Sequence, residues 1–419
     1  MLNEKGIREL CYVVKIDAIE PIIGSDNCEA AVVGGWKIMT RKGTFQIGDY
    51  AVYFEIDSKV PETEPFKFLA SKHYKVKTQK YTFGGKGNFI SQGLLMSFSD
   101  FQKNGGMPSW LANFNAQCTI AAAAGKEVGL PYFLTKELGV KYSVIEDNKR
   151  KTTIDKYKRM AQRHYKLFKN NKIIQWLYKK NWGKKLLFFF LRNKKDIKAS
   201  FWPDWVKKTD EERVQNLPQL FPNDNRVWMV TEKIDGSSTT FTIKRKNKKK
   251  YEFYVCSRNV CFDKPEKEDK LYYDTNIYIT MAEKYNIEEV LKQMLEDSLD
   301  ADFITIQGET YGAGVQKRDY GMKDIDFAAF NLIYGYSNGT VERFNPELMT
   351  ERLTQYNIPC VPLLDTNFKL PNTIDEMIKY AEGNSKIDGE YREGVVLRTL
   401  DGIDSFKAVS NEYLLKKGE

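Results

Sequence analysis

The octapeptide Thr231-Glu232-Lys233-Ile234-Asp235-Gly236-Ser237-Ser238 sets a lysine between a run of strand character and a glycine-bearing turn, with a carboxylate two residues further on. A lysine so placed can act as a nucleophile where its surroundings hold it as a neutral amine, through nearby positive charge or desolvation. K-x-D-G alone is a weak signal, and most such turns are simply exposed. Other covalent chemistries are harder to build from this chain. Its six cysteines (Cys11, Cys28, Cys118, Cys256, Cys261, Cys360) contain no C-x-x-C pair, and its only histidines are His73 and His164. A zinc site, a Ser-His-Asp triad and a disulfide framework are therefore not expected. Lysine, arginine, carboxylates and a hard metal ion are left to do the work.

Further segments follow Lys233 in a fixed order: Ser257-Arg258-Asn259, Gln307-Gly308-Glu309-Thr310-Tyr311-Gly312, Phe327-Ala328-Ala329-Phe330, Glu393-Gly394-Val395-Val396-Leu397-Arg398 and Ser405-Phe406-Lys407. In that order they resemble the motifs of the covalent nucleotidyltransferases, the superfamily of polynucleotide ligases and messenger RNA capping enzymes. The stretch Lys208-Thr-Asp-Glu-Glu-Arg-Val-Gln-Asn-Leu-Pro218 resembles the lead-in of RNA ligases of the RNA ligase 2 kind. At the front of the chain, Ile22-Ile-Gly24-Ser25-Asp26, Gly35-Trp36, Lys42-Gly-Thr-Phe-Gln-Ile-Gly-Asp49, Val52-Tyr-Phe-Glu-Ile-Asp-Ser58 and Ser91-Gln-Gly-Leu-Leu95 resemble the N-terminal OB domain of the Naegleria-type RNA ligases. The resemblance spans roughly residues 8–142 and 203–417.

The resemblance implies an ATP-dependent RNA ligase that forms a lysyl-AMP on Lys233, passes AMP to a 5′-phosphate and joins that end to a 3′-hydroxyl. Lys407 would clamp the α-phosphate, and Arg213 would lie near the phosphates. Phe330 would stack on adenine, with Val396 on its other face and Glu232 at the base edge. Glu309 and Arg258 would contact ribose or phosphate. Mg²⁺ or Mn²⁺ takes oxygen ligands and keeps several waters, so Asp235, Glu309 and Glu393 would hold a hydrated ion. One departure concerns the second lysine that often follows Lys407 by two residues: Val409 stands there, leaving Lys416 or Lys417 as replacements. The sequence runs 12 residues past Lys407, too few for the C-terminal OB domain of DNA ligases and capping enzymes. A DNA ligase acting on nicked duplex and a catalytically inactive nucleic-acid-binding protein are the alternatives; the full set Lys233, Asp235, Glu309, Glu393 and Lys407 argues against the second.

The elements that must position these groups are legible in outline. The fold expected is α+β: an N-terminal OB-fold β-barrel over residues 1–142, a basic helical linker over 143–202, and a nucleotidyltransferase domain with antiparallel sheets over 203–419. Short strands are predicted at residues 12–16, 29–33, 36–39 and 50–56, separated by the turn dipeptides Gly34-Gly35, Lys42-Gly43 and Gly48-Asp49. Beyond Pro203, strands are predicted at 227–230, 238–243 and 253–256, a helix over 276–295, and further strands near Phe303, Phe327 and Val395. Trp36, Tyr53, Lys75, Lys77 and Lys80 are candidates for a nucleic-acid face on the barrel, with buried aromatics beside a solvated basic strand as the competing reading.

Charge is concentrated between these parts. Residues 149–200 hold 18 Lys or Arg against Asp155 and Asp196; of the net +9, this window carries +16 and the rest sums to −7. One or two basic amphipathic helices starting near Thr152 or Thr153 are expected, including Lys156, Lys158, Arg159, Arg163 and Lys166. A phosphate-gripping arm, a solvated helix pair and adhesion to an anionic membrane are the three readings. The longest apolar run, residues 186–191, is six residues where a membrane span needs about 20, and the first ten residues are too charged for a secretory signal. The expectation is an intracellular monomer, of viral or phage type among the possibilities, acting on RNA and not on membranes, with a nicked duplex bearing an RNA 3′-hydroxyl end as substrate.

Overall fold

The computed structural model describes residues 1–419 except 5, 86, 103–105, 144–159, 161–163, 165–166, 169–170, 192–201, 209, 248–249, 259–260, 263–275, 299 and 418–419. The predicted helix start at Thr152–Thr153 and the lysines and arginines named there lie outside the described residues.

The N-terminal part is built from short antiparallel strands. Cys11–Lys15 pairs with Tyr50–Phe54 and with Tyr132–Phe133, and Tyr50–Phe54 pairs in turn with Leu94–Ser97. A meander of Ala18–Pro21, Cys28–Val33 and Trp36–Arg41 completes the barrel wall. Because alternate residues of a strand face opposite sides, Tyr12 and Val14 enter a core with Trp36, Ile38 and Tyr53. Cys11 and Val13 enter a second core with Val52, Phe54 and the helix Ser109–Ala123, which contributes Trp110, Leu111 and Phe114. Both faces of the strand are thus covered. Trp36 and Tyr53 are 1 % and 0 % exposed, which corrects the expectation of a nucleic-acid face on these two: their rings lie on the inward positions and pack against each other, with centroids 5.7 Å apart.

In the basic segment, the helices Lys172–Tyr178 and Asn181–Leu191 form a hairpin whose inner side meets Met160 and Phe168 through Leu187. Asn171 caps the first of them, its side chain accepting from the backbone N–H of Ile173 and Ile174. Lys172, Lys179, Lys180 and Lys185 are exposed.

The C-terminal part has two sheets. A six-stranded antiparallel sheet runs Cys261–Phe262, Lys250–Ser257, Ser237–Asn247, Ala301–Gly312, Ile325–Tyr336, Val341–Arg343. A five-stranded sheet runs Glu212–Arg213, Ser405–Val409, Gly394–Thr399, Trp228–Lys233, Leu363–Phe368. The predicted helix over 276–295 is two helices, Ile277–Lys284 and Ile287–Asp297, broken where Asn286 takes a left-handed backbone (φ 47°). The break lets Tyr278, Ile279, Met281, Leu291, Met294 and Leu295 all reach the core over the six-stranded sheet, which one straight helix of that length would not allow.

The two parts dock through polar contacts and one shared core. Val409, Tyr413 and Leu414 from the C-terminal end pack into the barrel core with Tyr12 and Trp36. The Gly34-Gly35 turn meets Gln215: Gly35 N–H donates to its carbonyl at 2.7 Å, and a Cβ on Gly35 would lie 2.8 Å from the Gln215 Cα. Trp36 Nε1 donates to Asn216 at 2.6 Å, and Lys37 pairs with Asp375 at 2.9 Å.

Candidate active site

Strand register brings the widely separated segments together. Lys233 lies opposite Gly394 and Thr231 opposite Val396, so the end of one strand meets the start of its neighbour. Val396 is opposite Lys407 on its other side. In the six-stranded sheet, Ser238 faces Glu309 and Glu309 faces Ala328. Gly236 lets the connection from one sheet to the other run close against the strand Ala301–Gly312, since a Cβ there would sit 2.4 Å from the Thr310 carbonyl and 2.8 Å from the Glu309 side chain.

Lys233 Nζ is 2.8 Å from Glu393 Oε1. Burial would lower the lysine, but Glu393, Glu309 and Asp235 outweigh it and hold the ammonium above its usual range. Glu309 is pushed up to about 8: burial dominates, with Glu393 and Asp235 adding and Lys233 opposing. Three carboxylates in one cleft thus exceed what one lysine neutralises. Among the described residues no group of three or more His, Cys, Asp or Glu side chains closes into a direct metal cage. A carboxylate set this short of positive charge, yet not converging on one point, fits a hydrated divalent cation held partly through water. The Asp235 N–H donates to the Tyr320 hydroxyl at 2.7 Å, which anchors the turn.

The titration of Glu309 has a consequence for stability. In the unfolded chain this carboxyl loses its proton at its ordinary value, near 4.5, whereas in the folded protein it keeps it to about 8. Folding is therefore increasingly penalised as pH rises through that window. Glu309→Gln is expected to match the wild type at pH 5 and to melt about 3 °C higher at pH 8 in chelator-containing buffer. A gap that stays constant from pH 5 to pH 8 in thermal melts would contradict the assignment of this charge.

Lys407 is 8 % exposed and 3.0 Å from Asp210 Oδ1. Burial lowers it to about 8, with Arg8, Arg213 and Lys233 adding to the effect and Asp210 opposing. Arg213 stands beside it because Glu212–Arg213 runs parallel to Ser405–Val409, with Arg213 opposite Lys407. Its Nη2 reaches Asp57 of the barrel at 3.0 Å, and its Nε and Nη1 are buried without a hydrogen-bond partner. Arg258 pairs with Asp210 at 2.7 Å and lies over the Tyr142 ring. Phe330 and Val396 are half-buried, Phe330 packing at the margin of the cluster of Ile234, Tyr311, Tyr320 and Ala328.

Not every predicted residue is available in the same way. Glu232 is 2 % exposed and accepts from the Ser385 hydroxyl and the Lys386 N–H, so it braces the 385–386 turn with both oxygens. Lys416 pairs with Glu412 and caps the Tyr391 ring, on the surface of the helix Asn411–Lys417. Val409 packs inward against the barrel. Asp210, Arg8, Asp57 and Glu55 were not singled out by sequence reasoning. Asp210 lies inside the lead-in Lys208–Pro218, but nothing local separates it from the neighbouring acids Glu211 and Glu212.

An α+β domain of two sheets, with a lysine and three carboxylates at their junction and an OB-type barrel docked in front, defines the architecture of the covalent nucleotidyltransferases. Residues 226–412 match the RNA ligase family and residues 10–97 an OB-fold domain family. The C-terminal part accordingly carries an RNA ligase domain and the N-terminal part an OB-fold domain. Along nearly its whole length the chain is similar to solved structures of Naegleria gruberi RNA ligase. One holds ATP and Mn (25 % identity, TM-score 0.66, 98 % of this chain and 100 % of that one). Another holds pyrophosphate (26 %, 0.66, 99 % and 100 %), and a third AMP and Mn (25 %, 0.65, 98 % and 99 %). No curated protein matches the chain.

Proposed function

We propose that the protein is an ATP-dependent RNA ligase in which Lys233 Nζ attacks the α-phosphorus of ATP. A P–N bond forms as the bond to the leaving pyrophosphate breaks, and the amine gives up its proton. AMP then passes to the 5′-phosphate of RNA, forming a phosphoanhydride and freeing Lys233. Attack of a 3′-hydroxyl on that end forms the phosphodiester and releases AMP. The observation that carries this reading is the Lys233–Glu393 pair beside Glu309 within an RNA ligase domain. Glu393 holds the lysine as a cation, so catalysis requires that this pairing be loosened.

A bound Mg²⁺ or Mn²⁺ supplies charge neutralisation on the phosphate and disfavours the lysine proton. Asp235, Glu309 and Glu393 are the residues that would hold it. Lys407 is assigned to the α-phosphate, Arg213 and Arg258 to the remaining phosphate or ribose oxygens, and Phe330 and Val396 to the two faces of adenine. Glu232 acts on the base edge through the turn it braces. The domain boundaries proposed are 1–142, 143–202 and 203–419.

RNA is the substrate class, and a nicked duplex with an RNA 3′-hydroxyl end is the form proposed. The exposed lysines of the hairpin Lys172–Leu191 support the reading of the basic segment as a phosphate-gripping arm. The enzyme is read as an intracellular monomer; among the described residues, no helix is long and apolar enough to cross a membrane. The test is single-turnover sealing by pre-adenylylated enzyme of two nicks that differ only in the sugars at the 3′-hydroxyl end. Ribonucleotides there should be sealed at least roughly a hundredfold faster than deoxyribonucleotides, because a site built around the 2′-hydroxyl leaves polar groups unpaired without it. Equal rates would favour a DNA ligase.

A further inference from the structure

Three cations converge on Asp210. Lys407 lies at 3.0 Å, Arg258 at 2.7 Å and Arg8 Nη1 at 3.6 Å. Arg8 comes from the N-terminal segment ahead of the barrel, with its side chain only 10 % exposed. Its Nη2 donates to Glu55 at 3.1 Å, while its Nε is buried without a hydrogen-bond partner. Glu55 also takes the Met1 amino group, the Tyr12 hydroxyl and the Asn216 amide. One carboxylate, Asp210, therefore serves three cations, and Arg8 retains donor capacity that the protein leaves unused.

A cavity of about 250 Å³ opens beside this cluster, between the N-terminal segment and the six-stranded sheet. Arg8, Lys208 and Arg258 line it together with the hydroxyl-bearing Ser238 and Thr240, and Asp210 is the carboxylate among its lining residues. Cations held in place around hydroxyl donors, with a single shared anion among them, form a binding site for a phosphate group.

We propose that this cavity is a phosphate-binding pocket in which Arg8 is the positioning cation and Asp210 is the resident anion that an incoming phosphate displaces. The proposal rests on the ligase reading above. It adds that the N-terminal part supplies a phosphate contact of its own, to cations that an internal carboxylate otherwise pairs. A phosphate with two negative charges satisfies Arg8, Arg258 and Lys208 better than one carboxylate does, and Asp210 stays paired with Lys407 or swings to solvent. Two sources offer such a group: the pyrophosphate portion of ATP, and the 5′-phosphate end of RNA.

The test measures affinity by calorimetry in the full-length protein, with inorganic pyrophosphate in one arm and with 5′-phosphorylated against 5′-hydroxyl oligoribonucleotide in the other. Arg8→Gln should weaken the ligand that occupies the pocket by about tenfold to a hundredfold, the worth of one charge-assisted hydrogen bond, and leave adenosine affinity unchanged. Weakened pyrophosphate identifies the nucleotide as the source, and loss of the preference for the 5′-phosphorylated strand identifies the RNA end. Asp210→Asn should tighten the same ligand severalfold, since the competing anion is gone. Should Arg8→Gln melt early because Glu55 has lost a partner, the double variant Arg8→Gln/Glu55→Gln restores the charge balance and is read instead. Unchanged affinity in both arms overturns the pocket. Weaker binding by Asp210→Asn overturns the exchange and makes Asp210 a scaffold for the cations. A wild type that forms no covalent AMP fails the ligase reading itself, whatever Arg8 does.

Discussion

Lys233→Ala is expected to leave no covalent AMP on the protein after incubation with α-labelled ATP and denaturing electrophoresis, a loss on the order of 10⁴-fold or more. The lysine is the amine that the register of strands Trp228–Lys233 and Gly394–Thr399 carries to the carboxylates, and the hydrophobic cores do not include it. Its removal takes from Glu393 the ammonium at 2.8 Å, but the extra charge is accommodated because Glu309 already holds its proton to about 8. The variant should therefore melt close to the wild type. Lys233→Arg should be equally silent while keeping the charge, since a guanidinium is not deprotonated in a protein and cannot attack phosphorus. Covalent AMP in either variant would end the assignment.

Lys407→Ala should slow adenylylation by about 10²–10³-fold, the cost of removing one charge-stabilising donor from a water-poor site. Asp210 keeps Arg258 and Arg8 as partners, so the strand Ser405–Val409, whose buried Phe406 and Ala408 anchor it from the opposite face, should hold. The pH profile gives a second readout. Lys407 sits near 8, so its charge fades as the pH rises above that value. AMP affinity of the wild type should fall from pH 8 upward, and Lys407→Arg should flatten that fall. An unchanged adenylylation rate in Lys407→Ala, measured in single-turnover mixing with ATP, would remove Lys407 from the phosphate.

Much of the chemistry is local and could be read from the chain. The proposed nucleophile, the following carboxylate and the glycine occupy Lys233, Asp235 and Gly236, three positions joined by one turn. The strands were legible because their inward residues alternate, and the ordered segments around Glu309, Glu393 and Lys407 fall on strands that a two-sheet domain must align. Phe330 and Val396 fall on such strands as well.

The amino-acid order carries the proposed reactive groups and the alternation that makes barrel and sheets. Tertiary structure alone decided which charges meet. Asp210 is shared by Arg8, Arg258 and Lys407, and Arg213 is held by Asp57, across separations of about fifty to two hundred residues. Ion pairs of this kind have no period and no composition signal, because any acid in the Asp210-Glu211-Glu212 run carries the same charge. The same limit explains Trp36 and Tyr53, where an aromatic on a short strand serves equally as core or as surface. The docking of Val409, Tyr413 and Leu414 into the barrel places their side of it inward, and burial of that much apolar area outweighs any gain from leaving the rings in water.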